Sequence, residues 1–214
     1  MTAIIAGRYQ PLEAARAGSP LRVRDLQTAQ TLLLRTAPVP ADRLAAVEAR
    51  ARAAAGIFHP SLVTLFDVVA VAAAEAALLL AYEFVPAQPA ALVTGGTPFN
   101  IRRAAQVVAE IADAAAELHA RDVVHGGISL ATVLLTMKGK AKLDRLGDPA
   151  VATRSPAEPA DDLVALGELL ATLAGSGGRG TVGMQAIETL TARARAGKFE
   201  SAATFAALLR RAAE

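Results

Sequence analysis

The sequence predicts an α+β fold in two lobes, a small β-rich N-lobe with one helix followed by a mainly helical C-lobe, minimal in size. Three observations carry this. Short extended runs separated by turn residues, with one helix among them, fill the first third. The hydrophobic spacing turns helical after Pro86. Finally, 53% hydrophobic content in 214 residues supplies core enough for one sizeable domain or two small lobes.

Arg8 to Glu13, Leu21 to Arg24 and Thr31 to Arg35 read as strands, punctuated by Gly18-Ser19-Pro20 and the polar turn Asp25 to Gln30. Ala41 to Ala55, between Pro40 and Gly56, is a strong helix-forming window. Leu62 to Val71 and Ala77 to Val85 are alanine-rich enough to pass for one helix. The β-branched and aromatic content of Val63-Thr64-Leu65-Phe66-Asp67-Val68-Val69 decides for two strands, with the turn near Glu75.

Past Pro86, Ile101 to Ala120 is the clearest helix. Ala104, Val107, Val108, Ile111, Ala115 and Leu118 recur at helical spacing and define one apolar face. Val133 to Thr136 and Ala141 to Leu143 form a hairpin across Met137-Lys138-Gly139-Lys140. Asp161 to Ala174 and Met184 to Glu214 read as helices joined by the glycine-rich stretch 175–183. The domain reading is a single 1–214 domain, with its N-lobe at 1–85 and its C-lobe at 86–214.

Composition excludes several chemistries. There is no cysteine, which removes disulfides, thiolate catalysis and cysteine zinc sites. His59, His119 and His125 have no metal-ligand spacing, so no metal is expected. A net charge of +2 from 22 basic and 20 acidic residues, with 4% aromatics, argues against a nucleic-acid surface. The longest apolar run, Val68 to Tyr82, is interrupted by Glu75 and too short to span a bilayer. No signal-peptide order opens the chain, so a cytoplasmic location is the expectation.

The stretch His125-Gly126-Gly127-Ile128-Ser129-Leu130-Ala131-Thr132-Val133 has the outline of the H-R-D-L-x-x-x-N catalytic loop of protein kinases. Other segments agree in order. Gly7-Arg8-Tyr9 and Arg24-Asp25 resemble the opening of bacterial serine/threonine kinases of the PASTA-repeat kind. So do His59-Pro60-Ser61-Leu62-Val63, the hinge Glu83-Phe84-Val85-Pro86, and Leu118-His119-Ala120-Arg121-Asp122-Val123-Val124-His125. Asp162-Leu163-Val164-Ala165-Leu166-Gly167 resembles the D-L-Y-A-L-G segment of the large lobe, and Lys198 to Phe205 the R-F-x-S-A-x-E-F segment of its last helix. Several short matches in sequence order are more specific than any one of them.

The resemblance implies a protein-kinase-like fold and assigns positions for its chemistry. In a kinase the catalytic-loop Asp accepts the substrate proton and the Asn holds magnesium; here those positions are Gly127 and Thr132. The metal-binding Asp of D-F-G corresponds to Arg145, ahead of Leu146-Gly147. Asp144, one residue earlier on an extended strand, points to the opposite face and is a poor substitute. The nucleotide loop is reduced to Ala14-Ala15-Arg16-Ala17-Gly18-Ser19-Pro20, with one glycine left. Arg35 stands at the V-A-I-K lysine, Leu33 at the small residue under adenine and Tyr82 at the gatekeeper. Glu48 and Arg35 stand at the strand-to-helix ion pair of a kinase; a structural pair is the favoured reading, with solvated residues that never meet as the alternative. His125 is expected to pack beneath the catalytic loop and Asp162 to accept hydrogen bonds from its backbone. Gly126 replaces the Arg that meets an activation-loop phosphate, and only 148–161 remains of that segment.

A positioned general base alone is worth about 10²- to 10⁴-fold. The sequence therefore predicts a catalytically inactive pseudokinase: no enzyme, no cofactor, no ATP binding, serving as scaffold or allosteric regulator in bacterial signalling. Two alternatives stay open, a weak metal-independent nucleotide-binding switch working through Arg35, and an enzyme with altered chemistry on the same fold. The implied partner is a protein, either a kinase or a phosphothreonine-binding (forkhead-associated) protein. Thr153 and Ser155 are candidate phosphorylation sites, though ordinary polar loop residues would look the same.

Overall fold

The alternation along Thr31–Leu34 places Leu32 and Leu34 inside and Thr31 outside, the pattern of a strand with one face on a core. In the computed structural model, which describes residues 3–16, 18–71, 76–152, 157–175 and 182–213 (the side chain of Val182 excepted), this begins β3 (Thr31–Pro38) of a five-stranded antiparallel sheet. Its members are β1 (Tyr9–Pro11), β2 (Leu21–Asp25), β3, β4 (Leu65–Val71) and β5 (Ala77–Glu83), in the order β1-β2-β3-β5-β4. All five expected strands are present. β5 lies between two neighbours and is buried on both faces from Ala77 to Tyr82, so its sequence is a continuous apolar run rather than an alternation. Tyr9, Val23, Leu32, Leu34, Leu79 and Ala81 form a core cluster.

The expected helix at Ala41 to Ala55 is divided. Residues Ala41–Arg43 make a 3-10 turn and α1 runs Leu44–Ala54, without a side-chain cap at its start. α1 buries Ala51 and Ala54 and packs on β4. β1 is shorter than expected, ending at Pro11, although Leu12 N–H still donates to the Arg22 carbonyl at 2.9 Å.

These elements belong to one compact unit, Met1–Phe58, Val63–Val85 and Arg145–Ala150. The second unit is His59–Leu62, Pro86–Asp144 and Val151–Glu214. It opens with two elements that the sequence reading passed over, β6 (Ala87–Pro89) and α2 (Ala90–Thr94). Both are short, alanine-rich and bracketed by prolines, so neither has room to show a period. β6 pairs with β7 (Val133–Thr136), which pairs with β8 (Ala141–Leu143), the hairpin expected there.

α3 (Ile101–His119) is the centre of this unit, and its six predicted apolar positions are wholly buried. Asn100 caps it, its side chain accepting from Arg103 N–H at 2.8 Å. α4 (Pro159–Ala174) starts with a reciprocal capping box between Glu158 and Asp161. α5 (Val182–Arg195) packs on α4, and α6 (Ala202–Ala212), capped by Ser201, packs on α3. No helix among the described residues is long and apolar enough to cross a membrane.

Candidate functional site

In the second unit, the segment His125 to Val133 is held by α4. Asp162, wholly buried in the first turn of that helix, accepts from the backbone N–H of His125 at 3.0 Å and of Gly126 at 2.8 Å. Its Oδ2 also meets His119 Nε2 at 2.9 Å. A buried carboxylate fixed by three donors is the role expected for Asp162. His125 is buried as well. Its Nδ1 accepts from Gly127 N–H at 3.2 Å, so the proton sits on Nε2, which donates to the Asp144 carbonyl at 2.9 Å.

Thr132 is committed to the loop itself. Its hydroxyl donates to the Gly127 carbonyl at 2.8 Å and accepts from Ser129 N–H at 2.9 Å, at 2% exposure. Gly127 has no space for a side chain: a Cβ would fall inside the carbonyl oxygen of Val151 and 2.9 Å from its carbonyl carbon. At Gly126, φ is +72° and a Cβ would press on Ala157 at 3.0 Å, so an arginine there would be strained as well as crowded.

In the first unit, Arg145 adopts φ +66°, the left-handed region that costs an L-residue about 1–2 kcal/mol. Asp148 holds it there, accepting from Arg145 Nε at 2.9 Å and Nη2 at 2.8 Å, while its other oxygen takes Ala150 N–H at 2.9 Å. Gly147 follows at φ +77°, with Leu65 and Ala51 within 3.3 Å of where a Cβ would stand. Tyr82 is fully buried, and its hydroxyl donates to the Leu146 carbonyl at 2.8 Å. Leu33, half-buried, lies opposite Tyr82 in the β3–β5 register.

Glu48 departs from expectation. It pairs with Arg52, one turn along α1, at 2.7 Å rather than with Arg35. A local i,i+4 partner needs no tertiary placement. Thr153 and Ser155 lie outside the described residues. Sequence reasoning did not find Val151 or Asp148. Asp148 left a faint signal, an acid three residues after Arg145; Val151 left none, because its backbone oxygen does the work.

The magnesium expected of a kinase fold does not fit the two positions that would hold it. Arg145 brings a cation, and the buried Thr132 hydroxyl has its proton and an acceptor site already engaged within the loop.

No family model matches the chain, and no curated protein matches it in sequence. Among solved structures, it is similar to the kinase domain of PknI from Mycobacterium tuberculosis, with a TM-score of 0.81 at 16% identity over 99% of each chain. A cysteine-to-alanine mutant of that kinase domain gives 0.77 at 18% identity, over 100% of this chain and 99% of that one.

This likeness corrects one expectation. The chain was read as no enzyme on the strength of Gly127, Thr132 and Arg145, yet along 99% of its length it keeps the shape of a kinase domain. Three positions describe where the usual groups are replaced; they do not measure what the retained architecture can do. From end to end, this chain has the protein-kinase fold.

Proposed function

We propose that this kinase-like protein is a regulatory component of bacterial signalling, acting by binding another protein. The supporting observation is the packing at Gly127. Where the kinase pattern places its general base, the chain offers no side chain and its own Val151 carbonyl fills the space. The loop around it is immobilised by Asp162, His125 and Thr132, so the segment is built as a fixed platform. Such a platform suits recognition, which rewards preorganised surfaces. The partner is either a kinase or a phosphothreonine-binding (forkhead-associated) protein.

The test is direct binding. The chain is mixed with each serine/threonine kinase and each forkhead-associated protein encoded in the same genome, and complex formation is followed by sedimentation and calorimetry. One partner should bind in the micromolar range or tighter, about −8 kcal/mol, with a change in that partner's own activity or phosphopeptide affinity. Failure of every such partner to bind would overturn the proposal. Rapid turnover of ATP by the isolated chain, with transfer to a protein substrate, would replace it with a catalytic role.

A further inference from the structure

Within the second unit, α4 and α5 pack closely where Gly167 meets Ala194, and farther along the same two helices a cleft of about 320 Å³ opens between them. Small residues make the room. Ala171, Ala174 and Gly175 at the end of α4, with Ala192 on α5, leave space that longer side chains would fill, and Ile187 adds apolar wall. The volume is at the small end of the range for ligand pockets, about 300–1,000 Å³.

One group in this cleft is incomplete. Thr191 lines it at 6% exposure, yet its hydroxyl has no hydrogen-bond partner among the described residues. A buried hydroxyl left unmatched is unfavourable, and a ligand that bonds to it removes that penalty.

The charges around the cleft select the sign of that ligand. Arg195 is held by Glu168 through Nε and Nη2, both at 2.7 Å, so its charge is matched. Glu188, exposed at the rim, has no ion-pair partner among the described residues, and one negative charge is left in excess. Ala171 and Ala174 belong to the last turn of α4, the negative end of the helix dipole, and no basic residue stands in that turn. Glu188 and Thr191 are three residues apart on α5 and so are neighbours on one face. A single ammonium group can therefore donate to carboxylate and hydroxyl together while its hydrocarbon lies on the alanines and Ile187.

We infer that this cleft binds a small, free organic ammonium, a short aliphatic primary amine, with Thr191 and Glu188 as its acceptors. This goes beyond the regulatory role proposed above and does not depend on the protein partner.

Hexylamine is the probe, charged at pH 7 as a lysine side chain is. The full chain is titrated with it, and binding is followed by calorimetry and amide NMR shifts. Saturable binding is expected, with the largest shifts in 171–175 and 184–195. Hexanol and hexanoate carry the same hydrocarbon under a neutral and an anionic head; each should bind at least about tenfold more weakly. Thr191→Val should weaken hexylamine about tenfold and leave the Tm of the unliganded chain unchanged or higher, because the hydroxyl it removes has no partner to lose. Glu188→Gln should weaken it about threefold, the worth of an exposed pair, without moving the Tm. Ala171→Leu fills the cleft and should abolish binding.

Hexanol or hexanoate matching hexylamine overturns the inference, since apolar surface alone would then be read. So does a lysine blocked at both ends that binds more tightly than hexylamine, which would assign the cleft to a side chain of another protein. Undiminished affinity in Thr191→Val, a lowered Tm of that unliganded variant, or no saturable binding up to about 10 mM overturns it too.

Discussion

The carbonyl oxygen of Val151 occupies the space that a Cβ on Gly127 would need. Both residues belong to the second unit, so the relationship is internal to one packed body. A backbone oxygen cannot rotate aside as a side chain can. Introducing Gly127→Ala therefore forces the 151 segment outward, and Gly127→Asp forces it further while adding a buried charge. The expected costs are about 1–3 kcal/mol for alanine and more for aspartate, measured by urea denaturation. Parental stability in Gly127→Asp would mean that the segment yields freely and that the position is open to an acid after all.

Arg8 and Asp25 make a bidentate pair in the first unit. Arg8 donates from Nε at 2.8 Å and Nη2 at 2.7 Å to the two Asp25 oxygens, and from Nη1 to Asp67 at 2.8 Å. Gln27 N–H and the Thr28 hydroxyl complete the shell around Asp25, which is 1% exposed. Arg8, with these further donors, holds the Asp25 carboxyl far below the usual carboxylate range, while burial and the bond to Asp67 push the Tyr9 hydroxyl well above its ordinary value. A depressed folded-state pKa stabilises the protein fully above the unfolded value, near pH 4, and that contribution fades as pH falls toward the folded value. Asp25→Asn should lower stability at pH 7 by about 2–3 kcal/mol and flatten the acid limb of a stability profile below pH 4. An acid limb of unchanged slope in the variant would assign the effect to other carboxylates.

Asp162 performs the same service for the segment His125 to Val133. Its two oxygens take N–H groups from His125 and Gly126 and the ring of His119. An asparagine there keeps the shape but turns one acceptor into a donor, leaving a buried backbone N–H facing an NH₂ group. The expected loss is about 2–4 kcal/mol. Hydrogen exchange at the amides of residues 125 and 126 should quicken more than exchange in the middle of α3. Uniform acceleration across the unit would show that Asp162 supports the whole body and not the loop in particular.

The fold was legible because its elements carry their own periods. The apolar face of α3 repeats at helical spacing from Ala104 to Leu118, and the β7–β8 hairpin lies at the residues where β-branched and apolar runs flank Lys138-Gly139. β6 and α2 escaped because Ala87–Thr94 is too short to repeat anything. The site was legible where side chains act and illegible where the backbone acts. Asp162 announced itself through the sequence around it, whereas the Val151 oxygen is common to every residue type. The inference of inactivity failed for a related reason: identities at 127, 132 and 145 speak of individual groups, while the kinase-domain shape is a property of the entire chain.

The α4–α5 crossing offers a test of packing in which two effects compete. Gly167 sits within α4, where alanine would raise helix propensity by about 1 kcal/mol. A Cβ at 167 would, however, lie 2.8 Å from the Cβ of Ala194, and 3.4 Å from the Thr191 carbonyl of α5. Ala194 is wholly buried and has no flexible end to move away, so the helices themselves must separate. Overpacking of this kind costs about 1–3 kcal/mol, which exceeds the propensity gain and makes Gly167→Ala a net destabilising change of about 1 kcal/mol. Adding Ala194→Gly removes the clashing methyl while lowering propensity in α5. The double variant should therefore be more stable than the sum of the two single effects by about 1 kcal/mol or more, the coupling expected for residues in contact. Simple additivity in a urea-denaturation cycle would place the two helices farther apart than the distance between these carbons implies.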